Sequence, residues 1–358
     1  MIRLELLKKM KKTKIYFLGR KQGHSFHKIF PSKIENKRLN EYEGLKEVQK
    51  LKRTYFINKA NILFFRNKPE KTTDLQIDTL SKRISNLDNK LIINDIKSFY
   101  NYDSKDRTFK LWKENNLTCP NYIAFSNEEI NNKLDLTINR IYDFYKKYKK
   151  IIIRTNNETG SHGLYIIENK NDIPAVINKL IPRVNKKIKK SKDTKIMCVE
   201  YIENTSEDGY NELYRVHIIF DQVLSYYVAT SKKKQFHQAD MTMQDINRFI
   251  EVNHKFQKKI PIIKNKLVSA VKTLGNNIGG IEFFLINDEP CFIELNPMWG
   301  GPASRTSFGN DEMKLYINTN KIDLYNQISN IYDWLDYKNY YKKMYSIINN
   351  YYKDSFKE

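Results

Sequence analysis

Cysteine is nearly absent. Cys119, Cys198 and Cys291 are scattered through 358 residues, odd in number and far apart. Their spacing matches neither a zinc-ligand pattern nor a disulfide framework. Also missing is any apolar run long enough to span a bilayer. The basic leader is followed by no apolar h-region, so no signal peptide is read. No internal repeat or long disordered linker is seen, and no Cys–His or Ser–His signature of nucleophilic catalysis stands out. These absences favour a cytoplasmic globular chain, long enough to bury a proper core in two or three lobes.

Acid is also in short supply. Lys and Arg number 63 against 41 Asp and Glu, a formal net charge of +22. Basic clusters occur at 8–14, 146–150, 186–195 and 232–234. None is interleaved with aromatics, as a stacking platform for bases would be. The lysines lie in a background rich in Asn, Ile and Tyr, which an AT-rich coding bias also produces. The charge therefore reads as that bias plus preference for an anionic substrate, and nucleic acid is not the expected partner.

The first hundred residues alternate strand and helix: strands at 14–18, 60–65 and 91–93, helices at 40–52 and 74–87. That alternation predicts a small open α/β domain with parallel strands. Its loop at 19–30, with Gly19, Gly23, His24 and Ser25, is a candidate acceptor contact. From Asp103 the pattern changes. Helices are predicted at 105–115 and 127–149, strands at 150–154 and 164–168, and a helix at 172–180. A pair of strands follows at 196–202 and 212–220, then a strand at 223–229 and a helix at 261–274. The Tyr-rich end, 311–358, reads as helical, its aromatics more in keeping with core packing than with a dimer surface.

The most informative stretch is a hairpin, Gly279-Gly280-Ile281-Glu282-Phe283-Phe284-Leu285 answered by Phe292-Ile293-Glu294-Leu295-Asn296-Pro297. Period-two geometry puts Glu294 and Asn296 on one strand face. Charge on strands this apolar is costly to bury without a counter-charge. Three oxygen-bearing side chains on one hairpin suit Mg²⁺, with substrate phosphates completing its shell. An exposed edge hairpin with solvated carboxylates is the bland alternative, but neither strand shows a clean polar face. Upstream, Asn156 to Leu164 forms a Gly-containing polar loop between two apolar strands. Its glycines let successive N–H groups turn toward one anion, although plain hairpin loops have the same composition.

The order of these features, from a helix carrying Lys105 through Arg154, the Gly loop and Val199-Glu200-Tyr201-Ile202 to the acidic hairpin, resembles the ATP-grasp superfamily of ligases. The resemblance covers roughly residues 103–307, and the hairpin is its most specific part. It implies an ATP-grasp fold, α/β with α+β lobes, preceded by a small open α/β N-terminal domain. The implied boundaries are 1–102 for that domain, 103–310 for the ATP-grasp part, and 311–358 for a helical extension. Within the ATP-grasp part, a central lobe spans about 120–200 and a C-terminal lobe about 201–310.

Carried over by motif, the resemblance implies that Lys105 and Arg154 meet nucleotide phosphates. Arg154 stands where the family usually has a lysine, which keeps the charge but changes the geometry. Gly160, Ser161 and Gly163 look like the phosphate-covering loop. Glu200, with the backbone of Tyr201 and Ile202, resembles the adenine-receiving hinge, and either Glu207 or Glu212 is in range for the ribose. Arg215 matches an arginine near the acceptor or γ-phosphate. Glu282, Glu294 and Asn296 look like ligands of Mg²⁺ or Mn²⁺. Arg305 follows Gly300-Gly301 where the acceptor pocket begins. Some relatives carry an arginine just before the first metal acid; here Gly280 and Ile281 stand instead.

The implied activity is ATP- and Mg²⁺-dependent ligation, in which a carboxylate becomes an acylphosphate and an amine or similar nucleophile attacks it. ATP and a small anionic carboxylate or peptide are the implied partners, with no membrane. Two other readings keep the fold: a kinase acting on a hydroxyl, or a non-catalytic binder of nucleotide or nucleic acid. Fold membership alone does not identify the acceptor.

Overall fold

The computed structural model describes residues 15–19, 57–66, 72–158 (without 86 and 88), 162–233, 245–297, 315–320 (without 317) and 337–356. The predicted helix at 40–52 and most of the loop at 19–30 lie outside them. Among the described residues no helix is long and apolar enough to cross a membrane.

Three sheets follow one another along the chain. The first is parallel, in the order β1 (Ile15–Gly19), β2 (Ile62–Arg66), β3 (Leu91–Ile93). Helix α1 (Asp74–Ile84) connects β2 to β3 and buries Ile77, Leu80 and Ile84 along one stripe. It starts at a reciprocal cap between Thr73 and Gln76, which satisfies two amides that a helix N-terminus otherwise leaves unpaired. The predicted parallel α/β unit is therefore present.

Helices α2 (Phe99–Asp103) and α3 (Lys105–Glu114) lead into the second sheet. This sheet is antiparallel, ordered β4 (Tyr122–Ser126), β7 (Lys195–Glu200), β5 (Ile151–Thr155), β6 (Leu164–Ile167). Strand β4 was not predicted. The single helix expected over 127–149 is two, α4 (Asn127–Asn132) and α5 (Leu134–Tyr148). Lys133 between them leaves helical geometry at φ −140°, ψ 45°. Helix α6 (Ile173–Lys187) runs past the predicted end through the exposed Pro182. Together α5 and α6 supply Ile141, Ile177 and Leu180 to a core closed by Ile151, Ile153 and Cys198.

The third sheet is also antiparallel, in the order β11 (Glu289–Asn296), β10 (Ile278–Ile286), β8 (Asn211–Ile219), β9 (Gln222–Ser231). Strands β7 and β8, expected as a pair, belong to different sheets, and residues 201–210 carry the chain from one to the other. Helices α7 (Ile246–Gln257, unpredicted) and α8 (Ile260–Lys272) cover one face through Phe249, Phe256, Ile263 and Leu267. Helix α9 (Tyr337–Ser355) fills the space beside the first sheet: Tyr340, Met344 and Ile348 pack with Ile62 and Phe64 and with Ile219, Phe220 and Leu224. This joins the first and third sheets through one apolar cluster, in agreement with the core-packing expectation for the C-terminal aromatics.

Candidate active site

Pairing across the third sheet aligns Glu294, Glu282, Arg215 and Tyr227 in one row, one residue from each strand. Two residues along, Asn296, Gly280, His217 and Ser225 form the next row. Because side chains alternate across a strand, both rows share one face, and the helices α7 and α8 take the other. A register shift between Glu282 and Phe283 makes this possible. Phe283 pairs with Phe292 rather than Ile293, so Phe292 turns into the aromatic core with Trp112 while Glu294 stays on the site face. That bulge is why the strand showed no clean polar face in sequence.

Helix α3 supplies the next group. Lys105 and Trp112 are two turns apart and share a helix face, and both reach β11: the Trp112 ring packs tilted against Phe292 at 5.5 Å, and Lys105 Nζ lies 3.1 Å from Glu294 Oε1. The amide of Lys105 donates to the carbonyl of Asn156, just past β5, at 2.9 Å. That contact draws the start of α3 to the end of the strand carrying Arg154. Arg154 donates from Nε to the Thr155 carbonyl at 3.1 Å and from a terminal nitrogen to the Glu158 carbonyl at 2.7 Å.

The charges interlock. Arg215 is ion-paired with Glu282 Oε1, and Asn296 Nδ2 donates to the same oxygen at 3.2 Å. Burial works to raise the Glu294 carboxyl, but Lys105, Arg154 and Arg215 outweigh it and hold the group below its ordinary value. Burial lowers the Lys105 ammonium against the pull of Glu294, and lowers Arg154 in the same way. Six predicted residues, Lys105, Arg154, Arg215, Glu282, Glu294 and Asn296, are thus brought together from three strands of one sheet, a strand of another and a helix.

The residues predicted to receive adenine lie at the crossing between sheets. Glu200 ends β7, and its Oε2 accepts from the amide and the side chain of Asn121 at 3.1 and 2.8 Å. Tyr201 donates its amide to the Lys150 carbonyl at 3.3 Å, and the Lys150 ammonium stands 3.8 Å from the Tyr201 ring centroid. Tyr201 and Ile202 are half-buried there.

Glu212 stands apart from these residues. One residue of parity separates it from Arg215's face, and it lies with Tyr214 on the helix side of β8. Its carboxylate is taken by Arg248 of α7 at 2.6 Å and by the Tyr214 hydroxyl. It is not brought to the charged cluster. Glu207 is exposed in the crossing segment. Gly163 has φ +65°, and a Cβ there would stand 2.6 Å from Glu158 Oε2. The positive φ favours glycine at this position, while the Glu158 side chain could move aside. Gly160, Ser161, Gly300, Gly301 and Arg305 lie outside the described residues.

Three residues of this neighbourhood were not singled out from sequence. Asn156, fully buried, donates to Ser104 Oγ, Asp106 Oδ1 and the Asp193 carbonyl at 2.7–2.9 Å and accepts from the Lys195 amide. It is a structural hub rather than part of a phosphate loop. Tyr227 lies beneath Arg215, whose guanidinium carbon is 5.6 Å from the ring centroid. His217, also buried, is held well below the ordinary imidazole value by burial first and by Arg215 second. Its signal in sequence was its place two residues beyond Arg215.

As a metal site the group is sparse. Among the described residues no three His, Cys, Asp or Glu side chains cluster as ligands. Two carboxylates and a carboxamide suit a hard cation whose remaining positions are filled by substrate oxygens, and three cations beside them suit phosphate.

The chain has the ATP-grasp fold. It aligns with the D-alanine–D-alanine ligase of Bacillus anthracis over 96% of this chain and 100% of that one, at 9% identity and a TM-score of 0.52. The same enzyme complexed with ATP aligns over 91% and 98%, at 11% identity and a TM-score of 0.47. The ATP-grasp ligase PsnB complexed with a minimal precursor aligns over 69% and 74%, at 14% identity and a TM-score of 0.45. No family model matches the sequence, and no curated protein matches it. At such identities the likeness speaks for the fold.

Proposed function

We propose that the chain is an ATP- and Mg²⁺-dependent ligase that converts a carboxylate to an acylphosphate and passes the acyl group to an amine or similar nucleophile, with ADP and phosphate released. The observation that carries this reading is the convergence of Lys105, Arg154 and Arg215 on Glu282, Glu294 and Asn296. Phosphate recognition and metal binding are thereby supported at one place.

In this reading Lys105 and Arg154 bind the α- and β-phosphates, and Arg215 faces the transferred γ-phosphoryl group. Glu282, Glu294 and Asn296 hold the metal, which neutralises charge on the phosphate oxygens during transfer. The substrate carboxylate oxygen attacks the γ-phosphorus and the bond to ADP breaks. The amine then attacks the acyl carbon, the bond to the phosphate oxygen breaks, and inorganic phosphate leaves. Adenine is assigned to the crossing at Glu200, Tyr201 and Ile202. Gly160, Ser161 and Gly163 are assigned to covering the phosphates, which excludes water from the acylphosphate, and Arg305 to the acceptor side. The excess of basic residues favours an anionic acceptor, a small carboxylate or a peptide.

The test is isotopic. Carboxylates labelled with ¹⁸O are screened with amines, ATP and Mg²⁺, and ADP and phosphate are followed. A ligase moves one labelled oxygen from carboxylate to inorganic phosphate. Formation of ADP with a phosphorylated hydroxyl and no condensed product would make the protein a kinase.

A further inference from the structure

In the arrangement described above, each acid assigned to the metal already carries a cation assigned to the phosphates. Lys105 Nζ is 3.1 Å from Glu294 Oε1, and Arg215 is paired with Glu282. Arg154 adds its charge to the field at Glu294. These groups are not solvated surface charges: Lys105 is 5% exposed and Glu282 is 6% exposed.

Resting on the proposed function, we infer that Lys105 and Arg215 guard the metal acids, so that the divalent ion is admitted only together with the nucleotide. A lone ion must displace an ammonium and a guanidinium from the carboxylates, which breaks the direct ion pairs of a buried lysine and a half-buried arginine and is unfavourable. A divalent ion alone also adds positive charge beside Lys105, Arg154 and Arg215. A metal–triphosphate complex brings its own anionic oxygens. Lys105, Arg154 and Arg215 transfer to those oxygens, and Glu282 and Glu294 turn to the metal. Both sets of ion pairs are exchanged rather than broken. No covalent bond changes in this exchange.

The consequence runs against the usual effect of deleting a site residue. Removing Lys105 should strengthen binding of the metal alone while weakening binding of the nucleotide. The probe is Mn²⁺, followed by electron paramagnetic resonance on the full chain, with and without a non-hydrolysable ATP analogue. Wild type, Lys105→Met and Arg215→Gln are compared, with circular dichroism as the folding control. In wild type the analogue is expected to tighten Mn²⁺ by roughly tenfold or more, the scale of ordinary coupling between ligands. Each variant is expected to bind Mn²⁺ alone several-fold more tightly than wild type and to lose most of the coupling. The arginine variant keeps the test open should the lysine variant fail to fold. Equal Mn²⁺ affinity with and without the analogue would overturn the inference while leaving the function intact. So would variants that bind Mn²⁺ alone no better than wild type. Failure of the analogue to bind wild type at all would overturn the function and the inference with it.

Discussion

The hydroxyl of Tyr340 lies 3.1 Å from Nδ1 of His217. It ties helix α9 to the strand that carries Arg215, two residues away on the same face. Both side chains are fully buried, and the rings meet edge to face at 5.9 Å. The C-terminal helix is therefore a structural support of the candidate site's sheet, reaching it through a polar contact as well as an apolar one.

Because His217 stays neutral well below 6.5 in the folded protein, it makes stability depend on pH. The unfolded chain takes up a proton as pH falls through that value and the native chain does not. Stability is thus fully present above about pH 6.5 and is lost below it, by up to about 1.4 kcal/mol per pH unit. Glu294 and Glu158, held below 4.5, contribute their own losses only at lower pH. Thermal melts between about pH 7.5 and 5.5 should show a steeper decline for wild type than for His217→Gln. Parallel declines would contradict the assignment.

Asn156 should prove costly to replace. Its side chain serves Ser104, Asp106, Asp193 and Lys195 at once, and deletion takes the partner from the Lys195 amide and the Asp193 carbonyl. We expect Asn156→Ala to lose about 3 kcal/mol in chemical denaturation. Asn156→Asp should be at least as damaging, because it sets a second carboxylate beside Asp106. A loss below about 1 kcal/mol for both would show that the hub is redundant.

Glu212→Gln tests a separation of roles. Its carboxylate shares Arg248 with Asp208 on the helix side of the sheet, so the variant should lose about 1 kcal/mol of stability. Nucleotide affinity should stay within about twofold of wild type, a difference well under 1 kcal/mol. A much larger loss of nucleotide affinity in a folded variant would restore Glu212 to the ribose.

Arg154→Lys keeps the charge but not the fork that holds the carbonyls of Thr155 and Glu158. Calorimetry with the ATP analogue should show affinity reduced by about tenfold rather than preserved. Unchanged affinity would mean that charge alone is what this position supplies.

These outcomes also mark how far the sequence could be read. The acidic hairpin was legible because charges interrupt strands that are otherwise apolar, and the parallel first sheet because strand and helix alternate. The parity of Glu212 was not, since proximity in sequence to Arg215 is no guide to face when alternation is strict. The break at Lys133 was hidden because apolar spacing continues through both helices, and only the cap at Ser126 marks α4 as a unit. Helix α7 carries a stripe that sequence spacing does encode, Ile246, Phe249, Ile250, Asn253 and Phe256. The pairing of β7 with β8 failed for a different reason. Adjacent strands usually pair, but here the crossing at 201–210 separates two sheets. Asn156 and His217 owe their roles to contacts 37 to 123 positions away, which no local pattern encodes.

The central claim is that the hairpin acids and the cations facing them form one metal–nucleotide site. The most direct measurement is thermal stabilisation by a non-hydrolysable ATP analogue, with and without Mg²⁺, on wild type and Glu294→Gln, with calorimetry on the same samples. The account predicts Mg²⁺-dependent stabilisation of wild type, approaching about 2.7 kcal/mol at a hundredfold excess over the dissociation constant. It predicts that most of this is lost in the variant. No stabilisation of wild type, or the same Mg²⁺-dependent stabilisation in both proteins, would contradict it.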